Sequence, residues 1–163
     1  LTVLCGTNLR AYNKLLRMKT KHPLAPVAFT QNVPLYMAGA DVLITKPGGL
    51  STSEALAAGL PMLLHRPIPG HEAYNEAYLL QSGAALPLDA QGDKAAFLKS
   101  LLQDKGRLQS MRAAARAAGH PDSATKLAEY VEKCTLLFAK REQTAANSSS
   151  AITGEAAKEG GQA

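Results

Sequence analysis

The sequence predicts an α/β fold, a parallel sheet with helices on both faces, followed by a helical C-terminal extension. Three observations predict it. Short apolar runs alternate with stretches of helical period. No two-residue turn of the hairpin type joins consecutive runs. Asp41-Val42-Leu43-Ile44-Thr45 and Pro61 to Leu64 are largely apolar without alternation, as strands buried on both faces are. The 163 residues suffice for one domain with a real core. With 46% hydrophobic and 19% charged residues, and no apolar run near the ~20 residues of a membrane span, the composition excludes collagen-like, wholly disordered and transmembrane classes.

Taken in order, Leu1 to Cys5 is a short apolar strand stopped by Gly6-Thr7-Asn8. Leu9, Tyr12, Leu15 and Leu16 then recur at helical spacing, with Arg10, Lys14 and Arg17 on the other side. His22-Pro23-Leu24-Ala25-Pro26 breaks that pattern; Val27-Ala28-Phe29 is a candidate short strand, and Pro34 suits a first helical turn leading into Leu35 to Ala38. The strand at 41–45 runs into the turn Lys46-Pro47-Gly48-Gly49-Leu50 and a short helix from Ser51 to Ala58, which Gly59 stops. The strand Pro61 to Leu64 follows, then the rigid loop Pro67-Ile68-Pro69-Gly70 and a helix from His71 to Ser82. Beyond Ala84-Ala85-Leu86 the chain reads as helical over 93–103, 105–118 and 121–140, the last with Leu127, Val131, Cys134 and Phe138 at helical spacing. Residues 141–163 offer almost nothing to bury and are expected to be a disordered tail, leaving residues 1–140 as the domain. The first residues have no initiator Met or basic leader and read as a strand already under way, so the chain is expected to be the back part of something longer.

The expected tail carries two bases and three acids, so the first 140 residues hold 16 bases against 10 acids. Such a balance suits an anionic ligand or surface, a nucleotide or lipid headgroups. Nucleic acid fits less well, because aromatics are 5% with no Trp and no nucleic-acid-binding signature is present. Arg10, Lys14, Arg17, Lys19 and Lys21 are either the solvated face of one helix or a contact for anionic lipid. Cys5 and Cys134 are too few for a disulfide framework and lack zinc spacing, which points to reduced thiols in a cytoplasmic protein. His22, His65 and His120 have no second His or Cys at ligand spacing and read as structural.

The densest signal is the run from Asp41 to Ala55. A buried strand enters a glycine turn that lets a ligand approach the backbone, and the following helix directs free N–H groups and its positive dipole end at that spot. This arrangement binds phosphate. It is neither a Walker loop nor a dinucleotide fingerprint, since neither glycine spacing occurs. The same residues fit a second purpose: Ser51-x-x-Glu54 is a capping box in which both side chains satisfy orphan helix donors. Spacing leaves both open.

The block Ile44-Thr45-Lys46-Pro47-Gly48-Gly49-Leu50-Ser51-Thr52-Ser53-Glu54-Ala55, followed by Gly59-Leu60-Pro61 and by Pro67-Ile68-Pro69-Gly70-His71-Glu72-Ala73-Tyr74-Asn75, resembles the C-terminal half of family 28 glycosyltransferases. Its nearest likeness is to the diacylglycerol glucosyltransferases and monogalactosyldiacylglycerol synthases, over Leu1 to Gly83. The resemblance implies a GT-B fold whose Rossmann-like C-terminal domain binds a UDP-sugar, and inverting transfer of a hexose to a diacylglycerol-type lipid. It also implies an acceptor site and general base on an N-terminal domain absent here, so that this chain alone is expected to be inactive. No metal or other cofactor is expected, and the enzyme is expected to work peripherally at the inner face of a membrane. By position, Glu54 would hold the ribose hydroxyls, and Gly48, Gly49 and Leu50 would form the diphosphate loop. Phe29 and Thr30 would lie against the uracil, Lys46 would offset charge on the departing UDP, and Gly6, Thr7 and Asn8 would line the cleft near the phosphates. His71, Glu72 and Asn75 would meet sugar hydroxyls, with His71 standing where the family usually has Gln. Each has a plainer reading: Phe29 as core, Lys46 as a solvated turn residue, Asn75 with Glu76 as the polar face of a helix. Rival functions are a UDP-sugar-binding subunit that needs a separate acceptor-binding partner, an enzyme like the lipid II N-acetylglucosaminyltransferase, and a UDP-sugar epimerase.

Overall fold

Strand and helix alternate over residues 2–87, and three helices follow, in a computed structural model that describes residues 1–159, with side chains described through residue 142. The order is β1 (Thr2–Leu4), α1 (Leu9–Leu16), β2 (Ala25–Val27), α2 (Val33–Ala38), β3 (Leu43–Thr45), α3 (Gly49–Ala57), β4 (Met62–Leu64), α4 (Ala73–Gln81), β5 (Ala85–Pro87), α5 (Lys94–Gln103), α6 (Lys105–Ala118) and α7 (Ser123–Glu159). All strand pairs are parallel. The strands form two sheets, however: β1 pairs with β2 in the register Thr2↔Ala25, and β4 lies between β3 and β5 in the registers Leu43↔Met62 and Met62↔Ala85. Nothing in the sequence marks the break. β2 begins two residues earlier than Val27-Ala28-Phe29 suggests, because the Ala25 N–H donates to Leu1 and the Cys5 N–H to Val27. Pro26 is tolerated because β2 pairs on one side only, where a missing donor costs nothing.

The core is centred on β4, all of whose residues are buried. Met62 and Leu64 pack with Ala55, Leu56, Leu60, Leu79 and Ala115, whereas Leu63 packs with Leu88, Leu101, Leu108 and Met111. Side chains alternate across a strand, so this division places helices on both faces of the sheet. Each fully buried leucine stabilises the fold by about 1.5–3 kcal/mol. At the end of α3 the Gly59 N–H bonds to Leu56 and the Leu60 N–H to Ala55, a Schellman arrangement with Gly59 at φ +64°. The backbone after α6 then runs so close to α3 that a Cβ on Gly119 would stand 2.5 Å from the Leu56 carbonyl oxygen.

Asp93 caps α5 by accepting from the Ala95 and Ala96 N–H groups, and Asp104 caps α6 by accepting from that of Arg107. Residues Leu1–His120 form one compact unit and Pro121 onward a second. Helix α7 opens with an Asp122–Lys126 ion pair of 2.8 Å. Its backbone is helical to Glu159, within the tail expected from Arg141. The last four residues of that expected tail lie outside the described residues.

Candidate functional site

In parallel α/β sheets ligands bind beyond the carboxyl ends of the strands, and the candidate residues of this chain lie in the loops beyond such ends or on the helices that follow them. The turn after β3 is the most developed. Gly48 is extended (φ −76°, ψ 142°) and is the N-cap of α3, which therefore starts at Gly49. Ser51 is the third helical residue and no side chain caps the helix, so the capping-box reading of Ser51 and Glu54 fails. The Thr52 N–H reaches the Gly48 carbonyl at 3.2 Å and the buried Thr52 hydroxyl donates to the same oxygen at 2.7 Å. The N–H groups of Gly49, Leu50 and Ser51 have no acceptor among the described residues. Three free donors at the positive end of a helix are what an anion needs. Glu54 lies four residues after Leu50, on the same side of α3 and opposite buried Thr52, Ala55 and Leu56. It is exposed, and its side chain makes no hydrogen bond or ion pair among the described residues, so its acceptor-only carboxylate is available to a diol.

Helix α4 braces this turn. The Asn75 amide donates to the carbonyl of buried Pro47 at 3.0 Å. Glu72 accepts from the Ile68 N–H at 2.7 Å through Oε2, and its Oε1 stands 3.7 Å from where a Cβ on Gly48 would be. Glu72 and Asn75 thus meet the glycine turn, each spending part of its capacity within the chain. Lys46 is exposed beside it, and the Gly48 N–H donates to the Lys46 carbonyl. His71 is exposed on the loop before α4, and its side chain has no hydrogen-bond partner among the described residues.

The loops after β1 and β2 form a separate group. Gly6 takes φ +56°, and Asn8 caps α1 by accepting from the Ala11 N–H at 3.0 Å; Thr7 lies between them. Phe29 is 67% exposed, which excludes the core reading and leaves a free aromatic face. Thr30 accepts from the Asn32 N–H through its hydroxyl. Among the described residues no hydrogen bond or ion pair joins this group to the β3–α4 group.

The structure adds a cluster that the sequence reading missed. His65, beyond β4, makes a 2.6 Å hydrogen bond through Nδ1 to Asp89, beyond β5. Asp89 also accepts from the Arg66 N–H and from Lys94 at 3.0 Å. The Arg66 N–H, then Lys94 and His65, hold the Asp89 carboxyl well below the usual carboxylate range. The clasp fixes Arg66 at φ +51°, where a non-glycine residue is uncommon, and so sets the direction of the loop leading to His71 and Glu72. Leu64 pairs with Pro87, so His65 falls opposite Leu88 and Asp89 lies one residue further on, within reach of both His65 and the Arg66 N–H.

A family model described as glycosyltransferase family 28 C-terminal domain matches residues 1–129. The chain belongs to glycosyltransferase family 28. The match extends beyond the Leu1–Gly83 likeness into α5, α6 and the start of α7. Similar proteins include the processive diacylglycerol beta-glucosyltransferase of Bacillus cereus strain AH187, 32% identical over 131 residues, 79% of this chain and 34% of that protein. The enzyme of the same name from Bacillus pumilus strain SAFR-032 is 32% identical over 114 residues, 69% of this chain and 30% of its own length. The chain therefore spans about a third of the curated relatives it matches. Among solved structures, MurG of Acinetobacter baumannii superimposes with a TM-score of 0.61 at 21% identity, covering 82% of this chain and 41% of MurG. The glycotransferase of kitacinnamycin superimposes with 0.51 at 20% identity, covering 80% and 34%. At that identity these two establish the fold, which is that of the C-terminal half of a GT-B glycosyltransferase.

Proposed function

We propose that this chain is the donor-binding domain of a family 28 enzyme that transfers a hexose from a UDP-sugar to a diacylglycerol-type lipid. The observation that carries the reading is the uncapped start of α3, with the free N–H groups of Gly49, Leu50 and Ser51 and the unpartnered Glu54 on one side of the helix. Gly48, Gly49 and Leu50 receive the diphosphate, Glu54 accepts from the ribose hydroxyls, and Phe29 with Thr30 covers the uracil. The acceptor oxygen attacks the anomeric carbon as the bond to UDP breaks, with inversion. Charge accumulates on the leaving diphosphate, where preorganised helix donors and Lys46 stabilise it without a metal. The proton of the acceptor hydroxyl goes to a base outside this chain, so the domain alone binds donor without turnover. His71, Glu72 and Asn75 border the sugar, with Glu72 and Asn75 also holding the turn. Among the described residues no helix is long and apolar enough to cross a membrane, and we place the enzyme peripherally at a cytoplasmic membrane surface, where its lipid acceptor lies.

Titration calorimetry with UDP in the presence of EDTA tests this. UDP is expected to bind, and Glu54→Ala to cost about 1.5–3 kcal/mol of affinity, as loss of hydrogen bonds to a charged group does. Uridine diphosphate lacking both ribose hydroxyls should bind wild type and variant alike. No heat with UDP, together with a clear isotherm for ATP, would end the reading.

A further inference from the structure

The formal charge of +5 is distributed very unevenly. Residues 1–40 contain five Lys and Arg and no Asp or Glu, whereas residues 41–163 contain 13 of each sign. The whole net charge therefore belongs to β1, α1, β2 and their connections. Arg10 and Lys14 on α1 and Arg17 at its C-cap stand at i, i+4 and i+7, so they share one side of the helix, and Lys19 and Lys21 continue from its end. All five are exposed, and none takes part in an ion pair among the described residues. The same helix packs on β2 through half-buried Ala11, Tyr12 and Leu15, while Leu9 and Leu16 remain 61% and 56% exposed on the turn between the packed and the basic sides. Met18, just beyond the helix, is also exposed.

We propose that this side of α1, with Lys19 and Lys21, is the surface by which the protein docks on an anionic lipid bilayer. The inference rests on the lipid-acceptor reading above and assigns the membrane contact to named residues. Charge complementarity selects an anionic partner. The leucines beside the cations select a bilayer over nucleic acid, because a membrane interface accepts basic and apolar side chains together, whereas a phosphate backbone accepts the basic ones alone. Near an anionic surface each Lys or Arg strengthens binding by about fivefold, so three acting together are worth roughly 100-fold. α1 is short, and its leucines reach only the headgroup boundary, which makes the contact reversible and salt-dependent.

The test is co-sedimentation of the whole chain with vesicles of mixed phosphatidylglycerol and phosphatidylcholine, and with vesicles of phosphatidylcholine alone. Wild type is expected on the anionic vesicles and not on the neutral ones, with binding falling steeply between about 0.1 M and 0.5 M salt. Arg10→Gln, Lys14→Gln and Arg17→Gln combined should lower binding roughly 100-fold. The combination Lys99→Gln, Lys105→Gln and Arg107→Gln removes the same charge from exposed positions on α5 and α6 and should have a much smaller effect. Leu16→Ser, with every cation in place, should weaken binding as well. Equal loss in the two triple variants would reduce the effect to net charge and overturn the assignment, as would tighter binding of the wild type to a single-stranded oligonucleotide at the same salt. Should the α1 triple variant fail to fold, the salt series, the neutral vesicles and Leu16→Ser decide the question in its place. UDP affinity measured on the same proteins separates the two readings. A wild type that binds UDP and ignores vesicles overturns the membrane surface alone, whereas one that binds vesicles through α1 and ignores UDP overturns the donor reading alone.

Discussion

In β4 every residue is buried, whereas in β1 Val3 is half covered and Leu4 stays 40% exposed, although both are three-residue parallel strands in chain-local settings of strand, loop and helix. The helix starts on the two sheets differ just as plainly. Asn8 spends its side chain on the Ala11 N–H and closes the start of α1, while α3, after β3 of the larger sheet, starts at Gly49 with no cap and three free donors. The same local pattern of strand, glycine turn and helix thus serves two ends. Where the helix is anchored in the core, as α3 is through Thr52, Ala55 and Leu56, its start can be left open for a ligand, because tertiary packing supplies the stability that a cap would otherwise add. Where the helix has no buried residue, as in α1, it closes its own start and turns its basic side to solvent.

The contrast in burial gives the largest expected effect. Leu63 is fully buried between β4 and the α5–α6 pair, so Leu63→Ala removes packed methyl groups and leaves a cavity, at a cost of about 2–5 kcal/mol. Leu4→Ala removes a side chain already 40% in water and should cost less than half as much. Urea unfolding of the two variants measures the difference. Equal losses would mean that the β1–β2 pair is as integral to stability as the larger sheet, and would break the comparison.

The helix starts give the next. Asn8→Ala should cost about 0.5–2 kcal/mol of stability, since it orphans a backbone donor. Ser51→Ala should leave stability within error, because Ser51 lies inside α3 and caps nothing. Thermal melting of both, beside UDP affinity, distinguishes the closed helix start from the open one. A destabilised Ser51→Ala protein would restore the capping box and weaken the phosphate reading.

Much of this was legible in the sequence because it is local. Strand 41–45, the glycine turn, the following helix and the strand at 61–64 each carry their own hydrophobic pattern and punctuation, and the structure has all four, although β3 is half exposed, with Ile44 39% in solvent, where its apolar run predicts burial on both faces. The start of α3 was not legible, because Gly48 as N-cap and Ser51 as N-cap produce helices that differ by less than one turn in the same apolar pattern. Phe29 is a hydrophobic residue whose exposure depends on where β2 ends, and that depends on bonds from Ala25 and Cys5 to the neighbouring strand. The split into two sheets and the His65–Asp89 pair are properties of strand register, and His65 and Asp89 lie 24 residues apart.

The smallest expected effect concerns the clasp that aims the loop before α4. Asp89 binds the Arg66 N–H, Lys94 and His65, and these contacts favour its charged form, so its folded pKa lies below the unfolded value. A depressed carboxylate pKa contributes stability that is fully present above the unfolded value, near pH 4, and is lost as pH falls through the folded one. The clasp should therefore outlast ordinary surface carboxylates on acidification and release only in strong acid. Asp89→Asn keeps the shape of the side chain and removes its charge. Its melting temperature should lie slightly below that of wild type between about pH 5 and 7 and converge on it as pH falls from about 4 towards 2. Limited proteolysis at pH 7 should cut the variant faster between Arg66 and His71, because the N–H bond that holds Arg66 at positive φ is weakened. Two melting profiles that stay parallel to the lowest pH, with unchanged cleavage, would reduce the cluster to exposed ion pairs with no hold on the loop.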